Sequence, residues 1–164
     1  MAQICRDVYA VAGLHRAGGR TGGNIARGIT QRGVDRLTRW IAGVEKNLEL
    51  LEQPGGIAMS DYDSGTQWDL PFGWAPASWI AIDGIVLVGD SADAVRISKK
   101  FSKTIQEGFA HDATIREKYN VVSGNAKVDV ATGYKMNVVG FGWTNAVYLK
   151  MQDLIASGGK SSAK

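Results

Sequence analysis

Residues 67–76 read Gln67-Trp68-Asp69-Leu70-Pro71-Phe72-Gly73-Trp74-Ala75-Pro76. Two tryptophans, one acid and one amide therefore share a short segment whose prolines and glycine predict a loop rather than a continuous helix. Indole rings stack on the apolar face of a pyranose, while amides and carboxylates hydrogen-bond the hydroxyl groups of the sugar. The segment is typical either of a sugar-binding loop or of a loop that its tryptophans anchor to the core.

Helical periodicity surrounds this loop on both sides. Apolar residues at three- and four-residue steps predict an amphipathic helix over residues 34–52, which Pro54-Gly55-Gly56 ends. A second helix resumes after Pro76 and ends at Gly89, and Asp90 or Ser91 caps a third helix. A last helix covers residues 144–156. The order helix, long loop, helix, helix, long loop, helix predicts an all-α fold.

Two details of this helical pattern can be compared directly with a structure. The apolar stripe of the third helix consists of Val95, Phe101, Ile105 and Phe109, with Ser98 in one position. The long loop over residues 119–142 contains Val128-Asp129-Val130, which has the composition of a short strand. Loops near twenty residues are uncommon in compact domains and are often functional.

Composition limits the classes of function. The chain has 164 residues, 45% of them apolar and 21% charged, which fits one globular domain and excludes a disordered protein. A single cysteine excludes an internal disulfide and a multi-cysteine zinc site, and two histidines disfavour a histidine-rich metal centre. No apolar run is long enough to cross a bilayer, and Arg6 and Asp7 interrupt any signal-peptide core. We expect no membrane contact and a cytoplasmic location, or a periplasmic one if the start is truncated.

The first part of the chain differs in charge from the rest. Residues 1–40 carry seven arginines, no lysine and two aspartates, a net charge of +5, whereas the whole chain carries only +3. Glycines interrupt helix formation there. A basic tail that contacts phosphates is one interpretation, but the interleaved aromatics of single-strand binders are missing. We therefore interpret residues 1–42 as a poorly ordered leader and predict no nucleic-acid partner.

Two further segments hold candidate chemistry. Glu117 lies between Arg116 and Lys118, a context that by itself is typical of a solvated surface charge. Residues 140–145, Gly140-Phe141-Gly142-Trp143-Thr144-Asn145, form a glycine and aromatic turn before the last helix. Thr144 is a candidate cap of that helix, and Trp143 either lines a pocket or packs inside the turn.

These segments together resemble one enzyme family. Residues 67–76 resemble the second signature of the trehalases, glycoside hydrolase family 37, with both tryptophans and both prolines in register. Three other segments agree in order and spacing: Leu51-Glu52-Gln53-Pro54-Gly55-Gly56-Ile57, Glu117-Lys118-Tyr119-Asn120-Val121 and Gly140-Phe141-Gly142-Trp143-Thr144-Asn145. The resemblance runs from about residue 44 to residue 156 and does not reach residues 1–42.

The resemblance implies a fold and a reaction. Residues 43–156 would form part of an (α/α)6 barrel with long functional loops. Independently of the resemblance, the small and polar residues at positions 157–164 predict a disordered tail. The family hydrolyses α,α-trehalose to two glucose molecules with inversion, which needs a general acid and, across the ring, a general base. Glu117 matches the catalytic base. The family resemblance also assigns substrate-binding positions, which are Gln67, Trp68, Asp69, Trp74 and, as a support, Trp143. The partner is a small sugar, and no metal or cofactor is implied.

Departures from the family pattern limit these expectations. The upstream Gly-Trp-Asp segment that carries the general acid and the first signature are both missing from this sequence. Residues 131–136, Ala131-Thr132-Gly133-Tyr134-Lys135-Met136, replace a glycine run that precedes a Glu-Tyr pair. The chain therefore resembles the C-terminal part of a catalytic domain, and we expect it to be weak or inactive without the missing part.

Three other interpretations stay open. A non-catalytic sugar-binding or remnant fragment would keep the tryptophan loops and lack complete chemistry. A glucosidase of another (α/α)6 family would take a different disaccharide. A nucleic-acid binder would use the basic tail, and its binding would depend strongly on salt.

Overall fold

A computed structural model of the chain describes residues 31–160. Within this range the chain forms four helices, connected by two pairs of very short strands. The helices are α1 (Gln31–Leu51), α2 (Ala75–Leu87), α3 (Ser91–Asp112) and α4 (Gly142–Ala156). The strands are β1 (Glu52–Gln53), β2 (Gly56–Ile57), β3 (Phe72–Trp74) and β4 (Lys118–Asn120). The predicted helical pattern is confirmed, whereas Cys5, His15 and most of the predicted leader lie outside the described residues.

The helix ends follow local sequence signals. Pro76 lies in the first turn of α2, where its missing N–H costs nothing, and Gly89 follows the helix with a φ of +93°. The Asp90 carboxylate accepts a hydrogen bond from the Asp93 backbone N–H at 3.0 Å, so Asp90 caps α3 as predicted. At the other end of α3, Ala113 adopts a left-handed conformation with a φ of 56°.

Helices α2, α3 and α4 pack against one another around the main core. Ile82 of α2, Phe101 of α3 and Met151 of α4 are fully buried there. The predicted stripe of α3 is confirmed at Phe101, Ile105 and Ser98, which are all buried. It is wrong for its two ends. The buried face begins at Ala94 and Ile97 instead of Val95, and Phe109 is exposed at the C-terminal end of the helix.

The strands β3 and β4 join the two long loops. They pair antiparallel, with Phe72 opposite Asn120, Gly73 opposite Tyr119 and Trp74 opposite Lys118. Glycine is required at residue 73 because a Cβ there would lie 2.4 Å from Val121 Cγ1 and 2.8 Å from the Ile57 carbonyl oxygen. This pair brings residues separated by more than forty positions to one place.

The second long loop differs from expectation between residues 128 and 130. No strand forms at these residues. The loop instead buries Val130 in a small cluster with Met59, Phe72 and Trp74. Burial of one valine satisfies the apolar pattern without a partner strand. Apolar alternation alone does not distinguish the two outcomes.

The prediction that Thr144 caps α4 is wrong. Phe141 occupies the cap position without a side-chain hydrogen bond, and Thr144 lies inside the helix. Its hydroxyl donates to the Arg116 carbonyl at 2.9 Å, which ties α4 to the segment before β4. After α4, residues 157–159 form a turn in which the Gly159 carbonyl accepts a hydrogen bond from the Ser91 hydroxyl. The rest of the predicted tail lies outside the described residues.

Candidate active site

Strand β4 places Glu117 beside the tryptophan loop. Glu117 directly precedes β4, and its neighbour Lys118 is the register partner of Trp74. The Glu117 backbone N–H donates to the Val138 carbonyl at 2.9 Å, and the residue is only 6% exposed. Its carboxylate oxygen Oε2 lies 3.1 Å from the Lys118 ammonium nitrogen. Glu117 is therefore a buried, paired carboxylate and not the solvated surface charge that its sequence context suggests.

Three tryptophans form one aromatic cluster at this place. Trp68 stacks on Trp74 with ring centroids 4.1 Å apart and planes 12° apart. Trp143 meets Trp74 edge to face at 5.9 Å, and Phe141 packs on Trp143 at 4.4 Å. We call Trp68, Trp74 and Trp143 the tryptophan platform. The platform connects two segments that are nearly seventy residues apart in sequence.

The members of the tryptophan platform differ in their access to solvent. Trp74 is 3% exposed, and its indole N–H donates to the Gln67 carbonyl at 2.8 Å. Trp68 is 50% exposed, and Trp143 is also exposed. The free aromatic surface is therefore provided by Trp68 and Trp143, while Trp74 lies behind them and fixes their position.

Lys118 connects the platform to the carboxylate. Its ammonium donates to Glu117 and, at 2.6 Å, to the Met136 carbonyl. The same nitrogen lies 5.1 Å from the centroid of Trp74 and 4.8 Å from that of Tyr134. A cation over an aromatic face at these distances is attracted by the ring electrons. One buried side chain of β4 thus contacts Trp74 of β3, Glu117 and the second long loop.

Main-chain hydrogen bonds fix the second long loop against residues 115–118. The Gly140 N–H donates to the Ile115 carbonyl at 2.9 Å, and Arg116 and Val139 form a single β-bridge. The Asn137 side-chain amide donates to the Lys118 carbonyl at 3.0 Å and accepts from the Lys118 N–H at 3.2 Å. These contacts hold residues 137–140, which lead to Trp143, next to the segment that contains Glu117.

Tyr119 fixes the turn before β4 from the core side. Its hydroxyl oxygen accepts a hydrogen bond from the Arg116 backbone N–H at 3.0 Å, and its ring packs edge to face on Phe101. Burial raises the pKa of the Tyr119 hydroxyl, against an opposing hydrogen bond from Arg116. The tyrosine stays protonated at neutral pH and acts as a structural support under Glu117.

Asp69 points into its own loop. Its carboxylate accepts hydrogen bonds from the hydroxyl groups of Ser64, Thr66 and Ser60, with the Thr66 contact at 2.9 Å. These hydrogen bonds, led by that of Ser64, lower the pKa of Asp69 below its usual value. In this arrangement Asp69 organises the loop that ends at Trp68.

Gln67 carries an unpaired acceptor. Its side-chain oxygen is buried and has no hydrogen-bond partner within the described part of the chain. A buried carbonyl oxygen without a partner costs free energy, so such groups are usually satisfied by a ligand, a water or a neighbouring chain. Gln67 therefore presents an acceptor beside the platform.

The comparisons with known proteins agree with this geometry. The family model described as Trehalase matches residues 31–156. The chain belongs to the trehalase family. Among its relatives, the periplasmic trehalases of Salmonella paratyphi B and Salmonella newport are each 37% identical over 126 residues, which cover 74% of this chain. The solved structure of neutral trehalase from Saccharomyces cerevisiae matches 77% of this chain with a TM-score of 0.54 and 27% identity.

These matches confirm the all-α assignment as part of an (α/α)6 trehalase fold. The chain spans about a fifth of its relatives: 20% of the Salmonella trehalases and 22% of the yeast chain. The family match begins at residue 31, earlier than the resemblance from residue 44, since it includes all of α1. The division at residue 42 stays a prediction.

The structure brings most of the predicted trehalase site residues together. Glu117, Trp68, Trp74 and Trp143 converge on the paired strands, with Gln67 directly behind Trp74. Asp69 is the exception, since its carboxylate is held by the hydroxyls of its own loop. The catalytic and sugar-binding roles of these six residues stay predictions.

Sequence reasoning missed Lys118 and Tyr134 as members of this site. Lys118 stands next to Glu117 in the motif, so its position was visible, but a lysine in a charged run is ordinarily exposed. Tyr134 lies in the segment that departs from the family pattern. The strand register places Lys118 opposite Trp74, and the Lys118 ammonium in turn lies 4.8 Å from the centroid of the Tyr134 ring.

Cavities of about 210, 510 and 500 Å³ lie in other parts of residues 31–160, and neither Glu117 nor any platform tryptophan lines them. Within residues 31–160 no cluster of His, Cys, Asp and Glu side chains has the arrangement to hold a metal ion. The arrangement is an exposed aromatic face, formed by Trp68 and Trp143, beside a buried carboxylate.

Proposed function

We propose that this chain supplies the base-bearing side of a trehalase active site, which hydrolyses α,α-trehalose to two glucose molecules with inversion. The observation that carries the proposal is the buried Glu117 carboxylate beside the tryptophan platform, in a chain of the trehalase family. A carboxylate held next to an aromatic shelf is the arrangement that an activated water and a sugar ring require.

In the proposed reaction Glu117 accepts a proton from a water molecule. That water attacks one anomeric carbon, the glycosidic C–O bond breaks, and a general acid protonates the departing oxygen. The glucose rings stack on the exposed faces of Trp68 and Trp143. The two carboxyl groups of an inverting pair lie roughly 6.5–9.5 Å apart, which leaves room for the water.

We infer that the general acid comes from the missing part of the catalytic domain. The apolar surface of the helices supports this partner. Helix α2 is largely apolar, with Asp83 as its one charged residue; Trp79, Ile80 and Val86 are only half-buried, and Leu149 on α4 is 64% exposed. Apolar side chains that extend beyond the buried face of a helix are typical of packing against a further element. The absent segments would cover these side chains and close the shelf into a pocket.

A non-catalytic sugar-binding or remnant fragment is the second candidate. Two observations favour it: the exposed aromatic faces are present, and the segment over residues 131–136 lacks the glutamate of the family pattern. This candidate predicts that trehalose or glucose binds and that no bond is cleaved. It therefore differs from the first in chemistry and not in binding.

An activated substrate tests Glu117 without the missing acid. α-D-Glucosyl fluoride loses fluoride without protonation, so water attack with Glu117 as the base replaces the C–F bond by a C–O bond and releases fluoride and β-glucose. We expect the purified chain to release fluoride faster than the spontaneous reaction and to cleave trehalose only weakly. Fluoride release is measured with an ion-selective electrode, and glucose anomers by NMR.

The matched variants are Glu117→Gln and Glu107→Gln, since Glu107 is an exposed glutamate on α3. Loss of a general base typically lowers a rate by about 10²–10⁴-fold, and we expect that loss in Glu117→Gln alone. Fluoride release that is equal in all three proteins contradicts the role of Glu117. Binding of trehalose without fluoride release in any of them favours the remnant.

The compartment stays a prediction. The sequence predicts a cytoplasmic location, whereas the Salmonella relatives are named periplasmic trehalases. No helix within residues 31–160 combines the length and the apolar character that crossing a bilayer requires. Fractionation of cells that express the natural gene distinguishes the two compartments.

A further inference from the structure

Lys118 is a charged side chain in an unusual environment. It is 0% exposed, although lysine is rarely buried completely. Removing an ammonium group from water costs several kcal/mol, which only well-placed partners offset. Its backbone position on β4 is already fixed by the strand pair and by Asn137. The buried charge therefore needs an explanation beyond the fold of this segment.

The partners of the Lys118 ammonium come from three separate parts of the site. Glu117 Oε2 lies 3.1 Å away, and the Met136 carbonyl lies 2.6 Å away. The rings of Trp74 and Tyr134 flank the same nitrogen at 5.1 and 4.8 Å. One group thus fixes the carboxylate, the inner tryptophan and the second long loop relative to one another.

We propose that Lys118 is a positioning residue, which holds the Glu117 carboxylate against the tryptophan platform with the Met136 carbonyl and the Tyr134 ring as its anchors. The proposal rests on the proposed function, because it assigns Lys118 a role through Glu117. Glu117 uses one carboxylate oxygen toward Lys118, which leaves the second oxygen for a water. Residues 134–136, where this chain departs from the family pattern, thereby acquire a role through a backbone carbonyl and an aromatic face.

Hydrolysis of α-D-glucosyl fluoride by the full chain tests this role. Lys118→Met removes the charge and keeps an unbranched side chain, and we expect kcat to fall about 10²-fold, as misplacement of a reacting group does. KM is expected to change less than about threefold, since the platform binds the sugar. Lys99→Met, at an exposed lysine of α3, is the matched control and leaves both constants unchanged.

The double variant separates positioning from a merely structural role. If Lys118 acts through Glu117, adding Lys118→Met to Glu117→Gln lowers kcat no further than Glu117→Gln alone. Lys118→Arg keeps the charge and is expected to restore part of the rate. A kcat for folded Lys118→Met equal to that of the parent chain overturns the proposal. So does a second, independent loss of kcat in the double variant.

If Lys118→Met does not fold, an NMR measurement on the parent chain and on Glu117→Gln tests the proposal instead. The buried ammonium is expected to give a slowly exchanging ¹⁵Nζ signal, which moves in Glu117→Gln and again when trehalose is added to the parent chain. A signal that ignores both changes overturns the proposal. If the parent chain neither binds trehalose nor releases fluoride, the proposed function fails and the role of Lys118 fails with it. If the parent is active and Lys118→Met is equally active, only the role of Lys118 fails.

Discussion

Two regions of this chain differ in how many of their side chains are covered within the chain. We call the residues around β3 and β4 the site side, and the packed helices α2, α3 and α4 the helical side. Around β3 and β4 the tryptophan platform, Lys118 and Glu117 pair with one another through contacts within the chain. The helical side packs α2, α3 and α4 together, yet leaves Val86 half-buried and Leu149 exposed. The difference indicates that the contacts around β3 and β4 are complete within the chain, while apolar side chains of α2 and α4 have no cover within the described residues.

The largest expected effect breaks the site side at its centre. Trp74→Ala removes a buried indole between Trp68 and Lys118, and truncation of a buried tryptophan costs about 3–5 kcal/mol of unfolding free energy. Trp68→Ala removes a half-exposed ring from the same stack, and we expect a cost of about 1 kcal/mol. Urea unfolding followed by circular dichroism measures both. Equal losses in the two variants contradict the assignment of Trp74 as the inner member.

Gly73→Ala tests whether the strand pair holds the two loops together. The added Cβ meets Val121 and the Ile57 carbonyl, and overpacking of this kind costs about 1–3 kcal/mol. Gly142→Ala is the matched control, because a Cβ at residue 142 meets nothing within 4 Å. The same unfolding assay compares them. A Gly73→Ala variant as stable as Gly142→Ala would show that the strands tolerate separation.

Leu149→Lys sharpens the comparison on the helical side. Uncovered apolar side chains promote association, so we expect the isolated chain to self-associate and Leu149→Lys to weaken that association about tenfold. Ser123→Lys adds the same charge at an exposed loop residue and serves as the control. Sedimentation velocity over a range of concentrations measures the effect. Unchanged association in Leu149→Lys places the contact on another surface.

The smallest expected effect concerns the junction of the two sides. Asp112 at the end of α3 accepts hydrogen bonds from the Thr114 hydroxyl and from Arg116, which lower its pKa from 3.8 to about 2. Because the folded pKa is depressed, this stabilisation is present above pH 3.8 and is lost as pH falls toward 2. Asp112→Asn should therefore lose less stability between pH 5 and pH 3 than the parent chain. Asp61→Asn, at an exposed loop residue, should behave like the parent in the same thermal unfolding measurements.

Much of the helical side follows from sequence alone. Three- and four-residue periodicity predicts α1 and the middle of the buried face of α3, and Pro76 and Asp90 mark helix starts through local chemistry. Local signals fail where distant residues decide. Thr144 bonds the Arg116 carbonyl instead of capping α4, since the path of the loop before β4 brings that carbonyl within reach.

The site side is only half predictable, for a physical reason. The family signatures identify Glu117 and the tryptophans, but residue identity does not give burial. Trp74 becomes the inner ring and Lys118 becomes fully buried because the strand register places them opposite each other. Such a register is a long-range property of the folded chain, and Tyr134 joins the site by its contact with the Lys118 ammonium, without any motif of its own.

Titration of the intrinsic tryptophan fluorescence with trehalose tests whether this chain carries a preformed sugar shelf. We expect a saturable change in the parent chain and in Trp79→Phe, whose ring lines a cavity between α2 and α4 away from the site. We expect Trp68→Ala to abolish the change. A parent chain without any saturable change, or a change that persists in Trp68→Ala, contradicts the preformed shelf.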